Sequence, residues 1–266
     1  METTERPAAA RPRAPLKTAV RHDTWWVKPL LTVLGLGFFA IYATARALEG
    51  ANYEWGSYLS PFYSPLVPES MRILGKAVSP AFYILIFPLA FRMTCYYYRQ
   101  AYYRSFFADP PACAVPEPSI RKGYNGERGF PLILQNMHRY AMYAAVIFLV
   151  VLWWDVLKAF WWDGHLGMGL GSLIMVANIL LLSGYTFGCH SLRHLVGGKL
   201  DCFSCPHLGS GEHKYTEKPG YKAWKLSTFF NLNHMQWAWC SLGSVILTDF
   251  YIRMVASGAF ADPRFF

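Results

Sequence analysis

Half of the six cysteines in this 266-residue chain fall within one short stretch, together with three of its eight histidines. The stretch reads Gly188-Cys189-His190-Ser191-Leu192-Arg193-His194 and then Cys202-Phe203-Ser204-Cys205-Pro206-His207-Leu208-Gly209. Thiolate and imidazole donors together suit zinc or an iron–sulfur cluster. A disulfide is the weaker reading, because the stretch is expected on the cytoplasmic face, where thiols stay reduced. The candidate metal ligands are Cys189, His190, His194, Cys202, Cys205 and His207, with His190 and His194 one helical turn apart. The other cysteines, Cys95, Cys113 and Cys240, stand alone in sequence and are assigned no role.

A second group of candidates follows from depth. His138 comes seven residues after Pro131, ~10 Å along a helix that rises 1.5 Å per residue. His190 lies a similar distance before Gly197, and His234 comes seven residues after Ser227. Three helices would thus present an imidazole at one level, beneath the Cys-rich stretch. Ionisable groups inside a membrane span are costly and point to function. Two such histidines would ligate a b haem from opposite faces or hydrogen-bond a quinone carbonyl. Arg139, Tyr185 and Trp237 fall at comparable depth, and polar groups at one end of an apolar slot suit a quinone head group. The quinone candidates are therefore His138, Arg139, Tyr185, His234 and Trp237.

The elements that must hold these residues are membrane-spanning helices. The chain is 54% apolar and 17% aromatic but only 15% charged, against about 25% charged in a soluble domain, which argues against a soluble enzyme. The net charge of +9 is better explained by basic cytoplasmic loops than by nucleic-acid binding. Five segments reach the ~20 mostly apolar residues that a span needs: 29–48, 78–98, 132–157, 168–195 and 226–255. The prediction is an all-α, polytopic five-transmembrane-helix bundle over residues 25–266, behind a mobile basic arm at 1–24. In that topology 17 of the 25 Lys and Arg residues share the N-terminal side, which puts the N-terminus in the cytoplasm and the C-terminus outside. Residues 49–77 carry Trp55, Tyr58, Phe62 and Tyr63, are too interrupted by Pro and Gly to span, and belong in the outer interface. No internal repeat is visible, which argues against a transporter. Asp155 and Asp249 are the acidic residues within the spans, both near the outer end.

Two resemblances sharpen these expectations. Cys205-Pro206-His207-Leu208-Gly209 resembles the first ligand box of Rieske proteins, in which two cysteines hold one iron of a 2Fe–2S cluster and two histidines the other. A zinc-clipped loop is the alternative for the same donors. Over residues 24–256, the five spans together with Gly129-Phe130-Pro131, Asn136-Met137-His138-Arg139, Gly188-Cys189-His190 and Asn233-His234 resemble the membrane-anchor subunits of actinobacterial succinate dehydrogenase. That resemblance implies a multi-pass protein of the cell membrane, a flavoprotein partner that oxidises succinate, and an iron–sulfur subunit docked on the cytoplasmic face. It also implies electron delivery to a membrane quinone of menaquinone or ubiquinone type. A Rieske-like 2Fe–2S cluster is the favoured cofactor, with haem b and a purely structural anchor as alternatives. The oligomeric state and the reaction direction stay open.

Overall fold

In this computed structural model the described residues are 24, 26–68, 79–106, 128–130, 132–162, 164–197 and 219–266. Eight α-helices lie within them. Helix α1 is Val27–Glu49, α2 Pro80–Thr94, α3 Tyr96–Phe106, α4 His138–Lys158, α5 Leu170–Phe187, α6 His190–Gly197, α7 Pro219–Leu232 and α8 His234–Ala256. A 3-10 helix, Leu132–Met137, leads directly into α4. Two short hairpins complete the structure: β1 (Glu54–Trp55) with β2 (Tyr58–Leu59), and β3 (Trp161–Trp162) with β4 (His165–Leu166).

Three described stretches are long and apolar enough to cross a membrane: Val27–Glu49, Ile133–Lys158 and Leu170–Phe187. The apolar helix α2 is shorter. Helix α8 has the same 23 residues as α1 but interrupts its apolar run with Ser241, Ser244, Thr248, Asp249 and Arg253. α1 is the most exposed of the three long apolar stretches: Ala47 is its single buried residue, and Leu30, Leu31, Leu34, Phe38 and Ile41 are exposed, while Phe39, Tyr42 and Ala43 pack against the rest of the chain.

The expectation of unbroken spans needs correction. Four of the five predicted segments change helix geometry at one level of the bundle. α2 stops where Cys95 turns extended (φ −62°, ψ 129°), and Thr94 Oγ1 donates back to the Ala90 carbonyl (2.7 Å). The third segment begins as a 3-10 helix, so His138 opens the α-helix instead of sitting two turns inside it. α5 ends at Phe187, where Gly188 gives its carbonyl to Asn231 Nδ2 (2.7 Å) and lies too close to the Phe230 carbonyl to accept a Cβ. α7 and α8 meet at Asn233, whose φ of −112° and ψ of 28° lie outside the helical range.

The opposite end of the bundle is capped. Successive segments bring the ends of α1, α4 and α8 and the starts of α2 and α5 beneath the two hairpins, where the 49–77 stretch was expected to lie. Fully buried Tyr58 is the keystone of this cap. Its ring meets Trp162 edge-on at 4.8 Å, and its hydroxyl donates to Asp262 (2.9 Å), which also accepts from Tyr251 (2.6 Å) and the Gly171 amide (2.9 Å). A Cβ on Gly171 would fall 2.3 Å from the Tyr58 ring, so only glycine permits this contact. Burial, together with the adjacent Asp262 carboxylate, pushes the Tyr58 phenol up from 10 to about 12. A phenol whose pKa is raised by folding contributes stability that is present below pH 10 and lost as pH climbs towards 12. The thermal midpoint should therefore fall across that window, and less steeply in Tyr58→Phe, as read by thermal scans at successive alkaline pH values.

Candidate functional site

At the level where the helices break, two thiols and two imidazoles from four helical segments converge. His138 Nε2 lies 3.2 Å from Cys189 Sγ, and His234 Nε2 lies 3.6 Å from Cys95 Sγ. Both thiols are buried in one apolar cluster with Phe91, Tyr98, Met142, Tyr185 and Ala238. The breaks explain how they get there. A cysteine between α2 and α3, one between α5 and α6, and histidines at the first positions of α4 and α8 all project from helix termini, where side chains reach towards the bundle axis.

The imidazoles are held by their neighbours. Thr94 Oγ1 lies 2.9 Å from His138 Nδ1, and Phe91 stacks on the same ring at 5.2 Å. Tyr185 stacks on His234 at 4.9 Å and meets Phe91 at 5.3 Å, so two aromatic rings link the two histidines. The Arg92 guanidinium lies over the Tyr185 ring at 4.7 Å and donates to Tyr98 OH (2.7 Å) and Ser241 Oγ (2.9 Å). Buried polar groups normally find a partner. Among the described residues five buried side-chain atoms have none, and three of them are here: Tyr185 OH, His234 Nδ1 and Trp237 Nε1. Their shared lack of partners marks a place where a polar ligand would be welcome.

The residues singled out from sequence divide accordingly. His138, Tyr185, His234 and Trp237 come together, whereas Arg139, next to His138, is exposed. Cys189 faces inward onto His138, while His190 and His194 are exposed and pair with each other, Nε2 to Nε2 at 3.1 Å. Cys202, Cys205 and His207 lie outside the described residues. Sequence reasoning missed Cys95 and Arg92. Cys95 stands alone in sequence, 139 residues from its His234 partner, and Arg92 resembles any basic residue at a helix end. A depth count like the one that found the histidine layer would have found Cys95.

Among the described residues no three His, Cys, Asp or Glu side chains gather as a single ion requires. The four donors form two Cys/His couples instead. A two-iron cluster takes two protein ligands per iron, and the Rieske set is two cysteines and two histidines. The four donors match that set in number and kind, but each couple here mixes one cysteine with one histidine, whereas a Rieske cluster has both cysteines on one iron and both histidines on the other.

Trp237 owes its position to a glycine. A Cβ on Gly184 would fall 2.7 Å from the indole ring, so Gly184→Ala should push Trp237 off α5. Overpacking of this kind costs ~1–3 kcal/mol. The expected result is a lower thermal midpoint and a changed tryptophan emission spectrum.

An apolar helical bundle with buried thiols, imidazoles and orphaned polar atoms gathered at one end has the make-up of a membrane subunit with a ligand site at that end. The chain matches the family described as "Actinobacterial succinate dehydrogenase subunit SdhC" over residues 27–258. It is similar to a chain of the solved "Mycobacterium smegmatis Sdh1 complex in the apo form", with 43% identity, a TM-score of 0.79, and coverage of 98% of this chain and 97% of that one. None of the curated proteins compared matches. This chain belongs to the actinobacterial SdhC family: it is a membrane-embedded subunit of succinate dehydrogenase.

Proposed function

We propose that this subunit receives electrons from an iron–sulfur subunit docked at its histidine end, holds a 2Fe–2S cluster between Cys95, His138, Cys189 and His234, and reduces a membrane quinone beside it. The flavoprotein partner oxidises succinate. The observation that carries the reading is the meeting of two buried thiols with two imidazoles next to three orphaned polar atoms. When bound, such a cluster supplies a one-electron centre whose potential is raised by imidazole ligation.

The remaining work falls to the chain's own side chains. Thr94 fixes the orientation of His138 by holding Nδ1 and leaving Nε2 turned to Cys189, the usual way an outer partner orients a ligating imidazole. Phe91, Met142 and Tyr98 keep water from the thiols. Tyr185 OH, Trp237 Nε1 and His234 Nδ1 are the donors available to a quinone carbonyl. Arg92, against the Tyr185 ring, places a fixed positive charge where a quinone oxygen gains electron density. This assigns to Arg92 the part that sequence reasoning gave to Arg139. The docked face is cytoplasmic, in keeping with Arg99, Arg193, Lys222 and Lys225 at that end.

A reduced-minus-oxidised optical spectrum of the purified complex, compared with that of the same complex carrying Cys189→Ser, tests the cluster. A broad bleaching in the wild-type complex that exceeds that of the variant by the contribution of one cluster, above the bleaching both owe to the partner subunits, is the expected result. Sharp cytochrome bands would replace the cluster with haem, although Phe91 and Tyr185 already bridge His138 and His234. Identical spectra from both proteins would leave every redox centre to the partner subunits.

A further inference from the structure

Beyond the quinone end, the bundle interior is polar along one line. Ser241, Ser244 and Thr248 follow each other at spacings of three and four on α8, which puts them on one helix face. Arg92 donates to Ser241 Oγ (2.9 Å), Ser244 Oγ donates to Asn178 Oδ1 (2.8 Å), and Thr248 Oγ1 donates to the Ser244 carbonyl (2.8 Å). Asn178 and Thr248 then line a cavity of about 10 Å³ together with Asp155, roughly the space of one water. Asp155 accepts from Ser64 and lies 3.6 Å from Lys158 Nζ, whose side chain is 55% exposed at the capped end. Asp155, Asn178, Ser241 and Thr248 are themselves buried.

Helix packing alone does not need this arrangement. Serine and threonine hydroxyls can satisfy themselves on their own helix carbonyls, but a carboxylate facing a water-sized cavity inside a span is costly and a usual mark of a proton relay. We infer that the line from Lys158 and Asp155 through Asn178, Ser244 and Ser241 to the Arg92–Tyr185 end carries protons from the capped side of the membrane to the quinone. The inference rests on the quinone-reducing reading above. Arg92 does not give up its own proton; it orients the Ser241 hydroxyl and holds positive charge beside the quinone.

Succinate oxidation by the partner subunits releases two electrons and two protons on the docked side. Quinone takes those two electrons, and its two new O–H bonds form with protons that travel down the line from the capped side. Each turnover thus moves two positive charges inward, and quinone reduction draws on the membrane potential.

The test uses the whole complex in proteoliposomes with a pH dye in the lumen and a short-chain naphthoquinone as acceptor. Succinate does not cross the bilayer, so only complexes with the docked face outward turn over, and their capped face meets the lumen. The expected result is lumen alkalinisation by two protons per quinone reduced, faster with valinomycin and external potassium. Asn178→Leu and, as a near-isosteric check, Asp155→Asn should cut that alkalinisation by about tenfold or more, with quinone reduction falling in step and succinate oxidation by a soluble dye unchanged. Wild-type quinone reduction at constant lumen pH would overturn the proton line and leave the quinone reading intact. A wild-type complex that reduces the dye but no quinone would overturn the quinone reading itself.

Discussion

Replacing Cys189 or Cys95 by serine should abolish quinone reduction by the complex while leaving succinate oxidation by an artificial acceptor at the wild-type rate. On the proposed relay the two activities separate, because the dye would take its electrons from the soluble partners, whereas quinone would depend on the buried Cys/His layer. Changing an outer partner of a ligand already costs 10–100-fold, so loss of a ligand itself should cost more than about 100-fold. Each serine is small enough to fit, and both thiols sit in the same apolar cluster, so the fold should survive. His138→Ala and His234→Ala should match the cysteine variants. By contrast, Arg139→Ala should reduce quinone at close to the wild-type rate, because Arg139 is exposed. Steady-state assays with the two acceptors, run side by side on the purified complexes, decide the matter. Cysteine variants that keep quinone reduction would refute the relay.

The largest effect on stability should come from the capped end. Asp249 is completely buried within α8 and is satisfied on three sides: Arg253 Nε at 2.8 Å, Tyr42 OH at 2.7 Å and the Ser60 hydroxyl. Arg253, also buried, further donates to the Ala51 carbonyl and lies 3.4 Å from Glu49. Removing one member of a buried pair strands the other charge and costs ~3–5 kcal/mol. Asp249→Ala should therefore lower the thermal midpoint sharply. The double change Asp249→Leu with Arg253→Met should recover much of the loss, because replacing both charges by apolar groups removes the stranded one. Thermal unfolding of the detergent-solubilised complex measures both, and a double variant no better than the single one would show that the tyrosine and serine contacts matter more than the charge.

The sequence carried the helical, apolar character of the chain and the shared depth of His138 and His234, but neither the exposure of His190 nor the helix breaks beside them. Apolar runs of about twenty residues have few readings besides a span, and counting 1.5 Å per residue from helix ends was enough to bring His138 and His234 to one depth. Helix interruption at Cys95 and Asn233 left no proline in the sequence to announce it. The contacts at the breaks are tertiary and carry no local pattern: Thr94 Oγ1 meets His138 Nδ1 across the bundle, and Asn231 claims the Gly188 carbonyl. For the same reason Cys95 has no local signature, since its partner lies on the last helix. Arg139 and Arg92 could not be ranked without knowing the helix rotation, which the six-residue 3-10 turn before α4 resets. The hairpins of the cap were equally hidden, because two-residue strands carry too little periodicity to register against their Gly- and Pro-rich surroundings.

The ion pair on α8 also bears on how the chain enters the membrane. Asp and Arg at the centre of a span each oppose insertion by roughly 2.5–3.5 kcal/mol, less near the ends, and α8 does not reach the apolarity of α1 although it is equally long. Left to partition as an isolated segment, it would be a poor candidate for the bilayer. Asp249 and Arg253 neutralise each other within α8, and their remaining hydrogen bonds go to Tyr42 on α1 and to Ser60 and Ala51 in the segment that follows, all made earlier in synthesis. Biogenesis should therefore be ordered: the first helices integrate by their own hydrophobicity, wait beside the translocon, and supply the polar partners that let the last helix leave it.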